Sequence, residues 1–163
     1  MAILFPSHYP KPPNPDDPEF VVYQILRKLP DNYTIFYSKK FKGTGSWKEE
    51  GEVDFVIFDG AKTILCLEVK GGRIAYDGKE DIWLQNDKVL SPQPDRQATE
   101  GMRALLAFLY KDGKDINFGW ILGFPNCGLP SDFRPPSSVP EQVIIDEAKF
   151  NEIGVAIERA SSY

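Results

Sequence analysis

Gly51-Glu52-Val53-Asp54-Phe55-Val56-Ile57-Phe58-Asp59-Gly60 is followed two residues later by Thr63-Ile64-Leu65-Cys66-Leu67-Glu68-Val69-Lys70-Gly71-Gly72. Both runs are rich in β-branched and aromatic residues, and Asp59-Gly60 between them is a hairpin-turn dipeptide. Residues 53–58 and 63–70 are therefore predicted to be adjacent antiparallel strands. With the turn centred near Gly60-Ala61, Asp54 lies across from residue 67 or 68, so its carboxylate meets that of Glu68 at one sheet end. The two-residue period puts Glu68 and Lys70 on one face, and Glu52 on the face of Asp54. Acids and a lysine inside apolar strands are costly unless they find partners.

Working outward, residues 1–18 carry Pro6, Pro10, Pro12, Pro13, Pro15 and Pro18. That density forbids a helix or a central strand and predicts an extended arm over residues 1–16, leaving 17–163 as one domain. Asp16 or Asp17 caps a first helix, with Pro18 in its first turn and Val21, Val22, Ile25, Leu26 and Leu29 as its apolar stripe up to Pro30. Residues 33–38 alternate like a strand. The next stretch, with Lys39, Lys40, Lys42, Gly43, Gly45 and Lys48, reads as a basic loop.

Beyond the hairpin, short strands are expected at 73–76 and 81–85, with turns at Gly71-Gly72, Asp77-Gly78 and Asn86-Asp87. Ala98, Met102, Leu105, Leu106 and Leu109 define a long helix over 94–110, with Gly113 just past its end. Residues 118–124 and 142–145 read as buried strands joined by a Pro/Ser-rich loop over 125–140. Asp146 then caps a final helix with Phe150, Ile153 and Ile157 inward. Helix, strands, helix, two strands and helix make the fold class α/β with a mixed sheet.

The composition suits one globular domain: 163 residues, 42% hydrophobic and 26% charged. The net charge of -5 argues against a protein that coats nucleic acid through a wholly basic surface, and leaves room for a local basic patch or metal-neutralised carboxylates. Two cysteines, Cys66 and Cys127, make no disulfide framework, and with His8 as the one histidine there is no zinc-ligand set. Apolar runs such as 104–110 are far shorter than a membrane span, and the amino terminus lacks a signal peptide's charged leader, so a reducing cytoplasm is the expected compartment.

Two neighbouring carboxylates repel, and a proton, a cationic side chain or a hard divalent ion relieves the repulsion. Lys70 offsets one charge only. A magnesium-type ion on Asp54 and Glu68 would polarise a phosphodiester and activate water, with Lys70 orienting that water or stabilising charge on the phosphate. Spacing alone is weak support, because acid-x-Lys occurs at Glu68-Lys70, Asp77-Lys79, Asp112-Lys114 and Glu147-Lys149. Only the first ends an apolar strand with a second acid brought opposite. A structural salt-bridge cluster is the plainer alternative.

Glu19 in a first helix, Gly-Glu-Val-Asp54-Phe-Val-Ile on one strand and Leu-Glu68-Val-Lys70-Gly-Gly on the next resemble the PD-(D/E)XK nucleases. More narrowly, with Trp83, Ser91-Pro92 leading to Gln97, Gly123-Phe124-Pro125 and Ile144-Ile145-Asp146, they resemble the nuclease-related domain, NERD. The resemblance implies a restriction-endonuclease-like core, a mixed central sheet flanked by helices, and hydrolysis of DNA with Mg2+ or Mn2+. It implies Asp54, Glu68 and the Val69 carbonyl as metal ligands, Lys70 as the catalytic lysine, Glu19 as an auxiliary acid and Gln97 as a site-facing helix residue. Val53 stands where the superfamily's name has proline, and Gly101 stands where some relatives have a tyrosine four residues after the glutamine.

Such domains often precede a helicase, kinase or DNA-binding module, so the chain is either a stand-alone protein or a domain of a longer one. Lys39, Lys40 and Lys42, with Trp47 and Lys48, could track a phosphate backbone, or be ordinary surface lysines. Arg73, after two glycines that allow close backbone approach, is the stronger phosphate candidate. The rival to an enzyme is a catalytically idle domain that binds nucleic acid or docks a protein. RNA as substrate and a homo-oligomer remain open.

Overall fold

The computed structural model describes residues 1–42, 50–109 and 115–162, with the side chains of 39–42, 50, 51 and 108 left aside. A six-stranded mixed sheet is ordered β1-β2-β3-β4-β8-β9. Its strands are β1 (Ile3–Phe5), β2 (Thr34–Lys42), β3 (Glu50–Phe58), β4 (Thr63–Val69), β8 (Asn117–Phe124) and β9 (Ile144–Asp146). β2, β3 and β4 form an antiparallel meander; β1 on β2, β8 on β4 and β9 on β8 are parallel pairs. A separate antiparallel sheet holds β5 (Ile74–Asp77), β6 (Ile82–Gln85) and β7 (Lys88–Val89). The helices are α1 (Pro18–Arg27), α2 (Pro94–Leu109), α3 (Glu147–Phe150) and α4 (Ile153–Ser161).

The β3–β4 hairpin closes as the sequence predicts. Asp59 Oδ1 accepts from the N–H groups of Ala61, Lys62 and Thr63, and Gly60 adopts φ +83°, where a side chain would meet the Asn32 carbonyl. Alternation along β4 then builds two cores. Leu65, Leu67 and Val69 pack with Val22 and Leu26 of α1 and Ala156 and Ile157 of α4. Ile64 and Cys66 turn the other way, under Leu105 of α2. The sheet is thus sandwiched between helices, and β4 is buried along its whole length.

Asp17 is the α1 N-cap, its side chain accepting from the Glu19 N–H, and Asp146 caps α3 by accepting from Lys149 N–H. Trp83 is fully buried against Phe124, Phe133 and Tyr76, locking the small sheet onto the large one.

Four expectations change. Lys39, Lys40 and Lys42 belong to β2 rather than to a loop, because β3 begins earlier than its apolar run and supplies backbone partners: Lys40 falls opposite Glu52 and Lys42 opposite Glu50. Gly43, Gly45, Trp47 and Lys48 lie outside the described residues, as do Asp112, Gly113 and Lys114. Residues 141–143 form a 3-10 turn after Pro140, and β9 starts only at Ile144. The closing helix is two helices, since the chain turns at Asn151, whose N–H returns to the Ala148 and Lys149 carbonyls, before α4 restarts; Phe150 and Ile157 are nonetheless buried. Finally, the arm's Ile3–Phe5 is the parallel edge strand β1, an edge position being the one a proline-flanked segment can occupy.

Candidate active site

The β3–β4 register pairs Phe55 with Leu67, so the next step places Asp54 opposite Glu68 at the open end of the hairpin. There the ladder stops, and the Val69 N–H donates to Asp54 Oδ2 at 2.9 Å in place of a strand carbonyl. On the other side of Asp54 the β2 ladder also skips a rung: Tyr37 pairs with Phe55 and Lys39 with Val53, while Ser38 between them sits at φ +53°. Val53 and Val56, three apart, both enter the core beneath α2, so the strict alternation of β3 slips around Asp54. Glu52 is consequently exposed and accepts from Ser38 Oγ at 3.1 Å. A left-handed, non-glycine residue beside the half-buried Asp54 is local strain held by its surroundings, the kind that clusters at functional sites.

Glu68 is only 4% exposed, and Lys70 Nζ lies 3.2 Å from its Oε1. Asp54 is pushed up to about 8 by burial first and by the neighbouring Glu68 charge second, against the pull of the Val69 N–H. Burial also raises Glu68, although Lys70 and a hydrogen bond with Asp54 oppose it. Near neutral pH Asp54 therefore keeps a proton that an isolated carboxyl would have released, chiefly because burial disfavours its charge.

Glu19, on the first turn of α1, adds to the repulsion on both carboxyls. It reaches them as a field rather than as a third clustered ligand, since among the described residues no three His, Cys, Asp or Glu side chains gather closely enough to hold an ion. Its oxygen Oε2 instead lies 3.5 Å from Lys11 Nζ. Gln97 of α2 lines a small pocket with Glu68, Cys66 and Gly101, and its Oε1 is buried with no hydrogen-bond partner. That pocket has no room for a water, so the Gln97 side chain would have to turn before its oxygen could serve a ligand at the hairpin end.

Arg73 lies two residues beyond Gly71 with its guanidinium exposed and ion-paired to Asp87. Lys39, Lys40 and Lys42 continue along β2 past Ser38. The structure thus brings Asp54, Glu68, Val69, Lys70 and Gln97 together, sets Glu19 within electrostatic reach, and leaves Arg73 on the adjoining surface. Sequence reasoning missed Lys11, Tyr9 and Ser38. It also missed Asn126, whose Oδ1 accepts from the Gly72 N–H at 3.2 Å and so fixes the loop after Lys70.

The donors fit a hard divalent ion: the buried Glu68 and half-buried Asp54 carboxylates and a strand-end carbonyl, with no thiolate or imidazole among them. A mixed sheet between helices, carrying an Asp, a Glu and a Lys at the end of its central hairpin, defines a restriction-endonuclease-like protein. Residues 16–125 match the nuclease-related domain, NERD, and the chain belongs to that family. No curated protein and no solved structure matches it in two further comparisons.

Proposed function

We propose that this protein hydrolyses DNA phosphodiester bonds using Mg2+ or Mn2+ held by Asp54, Glu68 and the Val69 carbonyl. The observation that carries this reading is the register that sets Asp54 opposite Glu68 at the open end of the hairpin, with Lys70 Nζ 3.2 Å from Glu68 Oε1. When bound, the ion would polarise the phosphate and acidify a water. Asp54 and Glu68 would supply carboxylate oxygens from opposite strands of the hairpin, Asp54 being fixed by the Val69 N–H. Lys70 carries its charge beside Glu68, where it would stabilise the phosphate's developing negative charge or steer the attacking water. Gln97 stands on the α2 side of Glu68, and Glu19 adds negative potential that favours the ion.

DNA is the partner this chemistry implies, with Arg73, Lys39, Lys40 and Lys42 as backbone contacts. A neighbouring helicase or other DNA-processing module, or a second copy of the chain, would add affinity. No described helix is long and apolar enough to cross a membrane, and a cytoplasmic location suits a DNA substrate and two buried free thiols.

The test is cleavage of supercoiled, linear and single-stranded DNA, and of RNA, with Mg2+ or Mn2+. Asp54→Ala and Lys70→Ala are each expected to cut the rate by on the order of 10²-fold or more. Binding without cleavage of any substrate would instead identify an idle binding domain, and faster cleavage of RNA would change the substrate.

A further inference from the structure

The proline-rich arm does more than supply β1. Tyr9 inserts its ring among Phe20, Tyr23 and Tyr37, with centroids 5.2 to 5.3 Å away. Its hydroxyl donates to Asp17 Oδ2 at 2.5 Å and lies 3.3 Å from the Tyr37 hydroxyl. Tyr23 in turn donates to the Pro6 carbonyl at 2.7 Å. The arm is therefore tied on both sides of Tyr9 to α1 and β2, and Asp17, which it holds, is the residue that caps α1 and sets the position of Glu19. Two residues after Tyr9, Lys11 projects its ammonium onto Glu19, with the Tyr37 hydroxyl beside both.

We propose that Lys11 is an intramolecular counter-ion for the site: paired with Glu19, it mutes the negative potential that Glu19 adds at Asp54 and Glu68, and so weakens the pull of the site on a divalent cation. The inference rests on the metal-site reading above and deepens it, because it names what controls metal entry. Lys11 lies before residue 16, where the family match begins, so the device belongs to this chain's arm. Three facts point the same way. Glu19 repels both Asp54 and Glu68 electrostatically, so its charge needs a partner when no ion is there. Lys11 is that partner at 3.5 Å. And Lys11 is more than half exposed, so it can swing into water without breaking the aromatic anchor at Tyr9.

The experiment is calorimetric titration of Mn2+, without DNA, into wild type, Lys11→Gln, Glu19→Gln, the double variant and Asp54→Asn, at low and high salt. Lys11→Gln is expected to bind Mn2+ about three- to tenfold more tightly at low ionic strength, with the gain shrinking in salt. In the Glu19→Gln background the same substitution is expected to change affinity by less than about twofold. Equal affinity of wild type and Lys11→Gln, or an equal gain in both backgrounds, overturns the counter-ion role while leaving the metal site standing if Asp54→Asn still abolishes binding. Unchanged Mn2+ affinity with a shallower salt dependence of DNA binding also overturns it and makes Lys11 a phosphate contact. A wild type that binds no Mn2+ at millimolar concentration overturns the metal site and the counter-ion together.

Discussion

Asp54 carries a proton penalty that can be measured. Its carboxyl sits near the ordinary 3.8 when unfolded and is raised to about 8 when folded. Between those values the native chain binds more protons than the unfolded one, so this group makes the metal-free protein less stable as pH rises from about 4 to about 8. Asn in its place keeps an oxygen for the Val69 N–H and never ionises. Asp54→Asn is therefore expected to be more stable than wild type by about 1–3 kcal/mol near pH 8 in EDTA, with the difference vanishing near pH 4. Urea unfolding at the two pH values measures it. Adding Mn2+ should then raise the wild-type midpoint and leave the variant's in place. A variant less stable than wild type at the higher pH in EDTA would show that the carboxylate is satisfied where it stands. Asp54, Glu68 and Lys70 were legible because polar residues interrupt apolar strands and a hairpin dipeptide fixes their register. Lys11 was not, because its meeting with Glu19 is created by the arm folding back, and no local pattern encodes that.

At the scale of elements, the site depends on how closely α1 approaches the end of β4. Gly71 follows Lys70 there, and a methyl group on it would lie 2.7 Å from Pro18 Cγ and 3.0 Å from Asn126 Oδ1. Pro18 is a rigid ring in the first turn of α1, immediately before Glu19, so it cannot yield without moving the helix end. Gly71→Ala is expected to cost about 1–3 kcal/mol of stability and to reduce metal affinity through the displaced Glu19. Thermal unfolding and Mn2+ titration check both parts, with Gly78→Ala as the control, since nothing lies within 4 Å of the added atom there. Unchanged metal affinity in a destabilised Gly71→Ala would mean that α1 placement does not reach the ion. Gln93 shows a similar long-range tie: its amide accepts from the Trp83 N–H and donates to the Trp83 and Leu90 carbonyls, pinning β6 and the chain after β7 to the start of α2. Helices were legible from periodicity and caps. The extension of β2 was not, because lysines enter a strand only when a partner such as the early part of β3 is supplied from elsewhere.

For the whole molecule, the net charge of -5 opposes a DNA backbone, and part of that opposition is concentrated at the site. Asp54 and Glu68 put negative charge at the end of the hairpin, whereas Arg73 is committed to Asp87 and Lys11 to Glu19. Without an ion the domain should hold DNA weakly, and neutralising the site should do part of what the ion does. Asp54→Asn/Glu68→Gln is therefore expected to bind a short duplex about three- to tenfold more tightly than wild type in EDTA at pH 9, above the value of about 8 to which Asp54 is raised, with a smaller gain at pH 7. Ca2+, a hard oxygen-seeking ion, should tighten the wild type and leave the double variant nearly unaffected. Fluorescence anisotropy with a labelled duplex, read at several salt concentrations, separates this from a general charge effect. Replacing two surface acids far from the site, such as Glu141 and Glu152, changes net charge equally and should give a smaller gain that salt removes. Equal gains from the two pairs would mean that DNA feels only the overall charge, and that the Asp54–Glu68 end of the hairpin is not where the phosphate lies.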